Sequence, residues 1–201
     1  MKKRIFGILL LTLSLLILTG GFWLGRQQQA LADKMVRLHV VANSDTDEDQ
    51  ALKLKVRDAV LEETQLILNG AADPRRALAE HLDCIETAAN RCLRQEGSSD
   101  RAVVTMAKEL FPTREYETFS LPAGTYTTLR VTIGEGEGHN WWCVVFPSIC
   151  MSASMDEFEE AAETAGLTEG EIKLITEESD GYVLKFKSIE LLEKLKGMFS
   201  D

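Results

Sequence analysis

Val36-Arg37-Leu38-His39-Val40-Val41-Ala42 alternates apolar with polar positions and is rich in β-branched residues, which predicts a first strand. Thr46, followed three residues later by Asp49, fits a helix N-cap with its reciprocal partner. Leu52, Val56, Ala59, Val60 and Ile67 then lie along one helical face, and Asn69-Gly70 stops the helix. Asp73-Pro74 opens a second helix that Leu78, Leu82, Ile85, Ala89 and Leu93 carry to Gly97. Beyond Asp100 the pattern turns to strands at 102–109, 119–121, 126–133 and 141–146, separated by Pro and Gly signals. Ser154-x-x-Glu157 reads as a capping box for a short helix ending near Gly166, and Asp180-Gly181 separates two alternating runs, 171–176 and 182–187. Ser188 caps a last helix bearing Leu191, Leu192, Leu195 and Phe199. This order predicts a single α+β domain, a mostly antiparallel sheet with helices packed on it.

A different pattern stands at the N-terminus, where Lys2, Lys3 and Arg4 precede an uncharged run over 5–24. As a helix this run would be about 30 Å long, enough to cross a bilayer core, and the basic flank stays cytoplasmic. Residues 1–32 are therefore expected to be a signal peptide or membrane anchor, and 33–201 an exported domain. Ala30-Leu31-Ala32 offers cleavage after Ala32, whereas the long run and the Gln27-Gln28-Gln29 spacer suit an uncleaved anchor; both readings stand. Four of the 22 basic residues and none of the 32 acidic ones precede Asp33, so 18 cations against 32 acids leave the exported part at −14. Such a surface repels nucleic acid and anionic headgroups.

The least ordinary stretch runs from Gly134 to Cys150, with three alternating glycines, Trp141-Trp142 and two cysteines. Glu135 and Glu137 would repel phosphate and a strand follows, so the glycines mark a bend rather than a nucleotide loop. Cys143 and Cys150 bracket Phe146-Pro147, and a hairpin there would set them opposite at about 5 Å, closing a loop worth about 2.5 kcal/mol. Buried free thiols are the competing reading. Cys84 and Cys92 fall about 12 Å apart on one helix, too far to pair. His39, Ser44 and Asp45 bring nucleophile, base and acid types together, yet on a strand they diverge and no elbow raises the serine. Asp45, Asp47 and Asp49 open like a calcium loop, but Gln50 and Val56 stand where a Gly and a Glu are required. The isolated histidines offer no zinc site, and no metal or cofactor is expected.

Arg37-Leu38-His39-Val40-Val41-Ala42-Asn43-Ser44-Asp45, followed by Asp49 to Val60, resembles the N-terminal block of the stage II sporulation protein R family. Phe111 to Tyr116, Leu121 to Tyr126 and the Gly134 to Cys150 run resemble its later blocks in order. The chain departs from that pattern at Pro147-Ser148 and in carrying Cys84 and Cys92. The resemblance implies a signalling protein, not an enzyme, exported from the forespore of endospore-forming Firmicutes into the space between the two compartments. There it would activate a membrane-embedded aspartic protease that cleaves the sigma-E precursor. Contacts to that partner are expected at Arg37, His39, Asn43 and Asp45, at Lys53 and Arg57, and at His139, Asn140 and Trp142. Competing readings are an exported hydrolase acting on cell wall or peptide, with His39 or His139 as base, and a small-ligand module at the aromatic bend.

Overall fold

The computed structural model describes residues 12, 19, 25, 26, 28–116, 119–149 and 155–176. Strand β1 (Val36–Val41) is buried along its whole length. It is followed by α1 (Asp47–Leu68), α2 (Pro74–Glu80) and α3 (Leu82–Gln95), then by strands β2 (Ala102–Phe111), β3 (Arg114–Glu115), β4 (Ser120–Leu121), β5 (Gly124–Ile133) and β6 (Asn140–Phe146). Helices α4 (Met155–Thr164) and α5 (Glu169–Thr176) complete the described elements. The main sheet has the order β2-β5-β1-β6, and β3 pairs only with β4. It is mostly antiparallel, as expected, but β1 runs parallel to β5 at its centre.

Central position explains why β1 is buried on both faces. Val36, Leu38 and Val40 face a core built with Val56 and Val60 of α1, Leu78 of α2 and Ile85, Ala89 and Leu93 of α3. Each such side chain contributes about 1.5–3 kcal/mol when removed from water. The opposite face carries a second core, in which Phe111, Tyr126 and Val144 of the sheet meet Phe158 and Ala162 of α4 and Ile172 and Ile175 of α5. Helices thus cover both faces. Leu31, Ala32 and Met35 belong to this second core, so the folded unit takes in residues ahead of Asp33. Among the described residues no helix is long and apolar enough to cross a membrane; the 5–24 run lies largely outside them.

Local chemistry sets the boundaries. Thr46 Oγ1 accepts from Asp49 N at 3.3 Å and caps α1. The expected reciprocal bond is absent, because the Asp49 carboxylate is taken by Ser44 Oγ at 2.6 Å and Asn43 Nδ2 at 3.0 Å. The second helix, expected as one piece from Pro74 to Gly97, breaks at His81, whose backbone leaves the helical region at φ −123°. His81 Nδ1 donates to Ala77 O at 2.8 Å across that break. Helix α3 ends where Gly97 takes φ 77° and Ser98 N donates to Leu93 O at 3.0 Å.

The alternating run at 171–176 is a helix, not a strand. Thr168 Oγ1 accepts from Glu171 N at 3.3 Å while Thr168 N donates to Glu171 Oε2 at 2.7 Å, a reciprocal cap that starts a helix and places Ile172 and Ile175 on one face. The partner run 182–187, the helix after Ser188 and Ser154 itself lie outside the described residues. On the edge strand β2, side chains of α3 stand in for a neighbouring strand. Asn90 Nδ2 donates to Ala102 O at 2.9 Å, Ala102 N donates to Asn90 Oδ1 at 3.0 Å, and Val104 N donates to Glu86 Oε2 at 3.1 Å.

Candidate functional site

Strand order explains the alternating glycines. Because β1 lies between β5 and β6, the chain leaving β5 must arch over the end of β1 before it enters β6. Gly134 and Gly136 take φ of 56° and 66°, which side chains disfavour. Gly138 answers a different need: a Cβ there would stand 2.2 Å from Ser44 O. The arch is then stitched to the end of β1 by backbone groups, with Gly138 N donating to Ala42 O at 3.0 Å and Glu137 N to Asn43 O at 3.1 Å. Glu135 and Glu137 face water, as expected of a bend.

Side chains complete the latch. Asn43 Oδ1 accepts from Glu135 N at 3.0 Å, and Asp45 Oδ1 accepts both His139 N, at 2.6 Å, and His139 Nδ1–H. From α1, Lys53 Nζ donates to His139 O at 2.9 Å and to Gln50 Oε1 at 2.6 Å. The backbone bond from His139 chiefly holds the Asp45 carboxyl below its ordinary range, and the Ser44 and Asn43 side chains do the same for Asp49. Burial lowers Lys53, opposed by the charge of Asp45.

On the second sheet face, β1 places two polar side chains among aromatics. Arg37 is fully buried; its Nε donates to Cys143 O at 2.9 Å and Nη2 to Tyr116 Oη at 2.7 Å, while Nη1 has no hydrogen-bond partner among the described residues. Its guanidinium lies 4.3 Å from the Phe111 ring centroid and 5.0 Å from that of Tyr126. Burial lowers the Arg37 pKa and pushes the Tyr126 phenol up to about 12. One step along the strand, His39 stacks on Trp142 at 3.9 Å between centroids, with Nδ1 2.8 Å from Glu109 Oε2 and Nε2 2.8 Å from Asn140 Oδ1. Glu109 also receives Arg130 Nη1 at 3.4 Å.

Of the residues expected to meet a partner, Asp45, His139 and Asn140 are exposed and adjoin one another at the arch. Arg57 is half-buried, and its guanidinium sits 4.5 Å from the ring centroid of Trp141, itself exposed on the helix side. Trp142 is half-buried on the other face, so the two neighbouring Trp diverge as alternation requires. Arg37, His39 and Lys53, also expected to meet a partner, are buried, which leaves little of them for a partner to touch. Asn43, half-buried, is spent on the latch. As a general base His39 is poorly presented, since both ring nitrogens are engaged and the residue is buried. Sequence reasoning missed Glu109, Arg130 and Tyr116. For Glu109 and Arg130 the only signal is strand parity, which becomes informative once β1, β2 and β5 are known to be neighbours; Tyr116, just past β3, carries none.

Cys84 and Cys92 are free thiols on α3; Cys143 is not among the free ones, and Cys150 lies outside the described residues. The Phe146–Pro147 peptide is cis. Among the described residues no group of three or more His, Cys, Asp or Glu is placed to hold a metal ion.

Compared with known protein families, residues 32–156 match stage II sporulation protein R (spore_II_R). The stage II sporulation protein R of Bacillus subtilis (strain 168) is 32% identical over 189 residues, covering 84% of this chain and 84% of that one. No solved structure matches the chain. The matched region spans β1, the latch and the arch together, and the chain belongs to the stage II sporulation protein R family.

Proposed function

We propose that this chain is an exported intercompartmental sporulation signal that activates a membrane-embedded aspartic protease and so triggers processing of the sigma-E precursor. The observation that carries the reading is the family match over 32–156, whose span includes the arch and the strand end and helix it is fastened to. Lys2, Lys3 and Arg4 ahead of the apolar run fit a domain carried across a membrane. Export also suits a Cys143–Cys150 bond, which we include in the proposal. Activation requires that the domain bind the protease's active arrangement better than its inactive one. A rigid arch serves this well, because little ordering is needed on contact. Asp45, His139 and Asn140, with Arg57 and Trp141 beside them, form the contact surface.

The test is to delete the gene in sporulating cells and follow cleavage of the sigma-E precursor by immunoblot, restoring either the full chain or a chain lacking 1–32. Deletion should block cleavage and the full chain should restore it; normal cleavage without the gene would sink the proposal. His139→Ala separates signalling from the hydrolase reading. A signal loses protease binding with the fold intact, whereas an enzyme loses turnover with binding intact.

A further inference from the structure

Residues 28–35 are built into the domain behind them. Leu31 and Met35 are fully buried and Ala32 is 1% exposed, all in the second core. Gln28 Nε2 donates to Ala123 O, and Gln29 Nε2 donates to Thr125 O at 3.2 Å, so the segment is tied to the corner where β5 begins. Lys34 Nζ fastens the same stretch to Glu171 of α5 at 2.7 Å. Ala30-Leu31-Ala32 is the small-residue stretch at which a leader would be cut, and cleavage after Ala32 would strip the second core of two of its buried residues.

We infer that the N-terminal segment is retained as an anchor and that the β2–β5 corner around Leu110 rests on the lipid surface. The inference rests on the proposed export of the domain. Only Gly25, Arg26 and Gln27 separate the apolar run from Gln28, a span of roughly 13 Å even when extended, so the corner bonded to Gln28 and Gln29 is held close to the bilayer. At that corner Leu110 pairs with Thr125, the residue whose carbonyl takes Gln29, and Leu110 is 72% exposed. Among the described residues only Leu66, at 69%, is a comparably exposed large apolar side chain, and it stands on α1 rather than at the corner to which Gln28 and Gln29 bond. Lys108, two residues before Leu110 on the same face of β2, is exposed, as are Arg114 and Glu115 of β3, and a lysine stem beside an apolar tip suits a place among headgroups. Strand β5 runs from this corner to the arch, and its ten residues span roughly 33 Å. The arch with Asp45 and His139 therefore stands at the far end, facing away from the anchoring membrane.

The full chain is tested in two ways. In cells, it should sediment with membranes after alkaline carbonate washing, and peptide mass mapping should recover an uncut peptide across Ala32-Asp33. A soluble exported form beginning at Asp33 overturns the anchor while leaving export intact; a protein protected inside the cytoplasm refutes the export reading instead. In vesicles containing brominated lipid, Leu110→Trp should add emission that the lipid quenches at least twofold, whereas Glu135→Trp at the arch should add emission that is not quenched. Equal quenching at the two positions, or none at 110, overturns the apposition of the corner to lipid. Protection of position 110 that grows with protein concentration in lipid without bromine assigns the corner to a second copy and likewise overturns it.

Discussion

Gly138→Ala is the sharpest test of the arch. The added Cβ would stand 2.2 Å from Ser44 O, 2.6 Å from Ser44 C and 2.9 Å from Ala42 Cβ. Carbon contacts are optimal near about 3.5 Å, so the strand end or the arch must shift by about 1 Å. Ser44 O resists, because Gln50 Nε2 donates to it at 2.8 Å. The arch resists through the bonds from Gly138 N to Ala42 O and from His139 N to Asp45 Oδ1, at 3.0 and 2.6 Å. Overpacking costs about 1–3 kcal/mol, and losing two hydrogen bonds adds about 1 kcal/mol each, giving about 4 kcal/mol. In a domain of this size that lowers Tm by roughly 8–16 °C. Gly170→Ala is the control: nothing lies within 4 Å of a Cβ there, and alanine in a helix should raise stability by about 0.5 kcal/mol. Circular dichroism melts of the purified variants decide the matter. A Gly138→Ala midpoint within about 3 °C of the parent, well short of that shift, would refute the close approach of arch and strand.

Arg37→Ala should cost about 3–5 kcal/mol in urea unfolding, because it empties an aromatic cage and removes the bonds that Arg37 gives to Cys143 O and Tyr116 Oη. Arg37→Met, which keeps the volume and removes a buried charge with an unpartnered Nη1, should cost less than half as much; equal losses would contradict the packing argument. Thr168→Ala removes the reciprocal cap of α5 and should cost about 1 kcal/mol by the shift in urea midpoint, with no change expected if the cap is idle. Asp49 has a folded pKa below its unfolded value, so its stabilisation is complete above about pH 4 and is lost as pH falls through the folded pKa. Unfolding series at pH 7, 5 and 3 should show the parent losing more than Asp49→Asn between pH 5 and 3; parallel losses would exclude this linkage.

Much of the backbone plan was legible along the chain. The forward Thr46 cap, without its reciprocal bond, the Gly97 stop and the strands at 102–109 and 141–146 are set by neighbours within a few residues, and they form where the pattern predicts. Alternation over the six residues 171–176 resembles a strand, yet the Thr168–Glu171 cap just ahead of it starts a helix. The break at His81 had no clear signal, since the apolar spacing continues through it.

By itself, the sequence determined an α+β chain with a basic, apolar N-terminal run, an acidic remainder and a glycine-rich bend. These follow from charge, periodicity and short-range backbone preference. Only the tertiary structure decided what the polar residues of β1 do. An alternating strand is ordinarily wet on its polar face, yet the sheet order puts β1 at the centre, with aromatics and helices over both sides. Arg37 and His39 thereby become interior supports, and the outward surface passes to Asp45, His139 and Asn140. Strand neighbours are chosen by packing between segments far apart in the chain, and no local pattern encodes that choice.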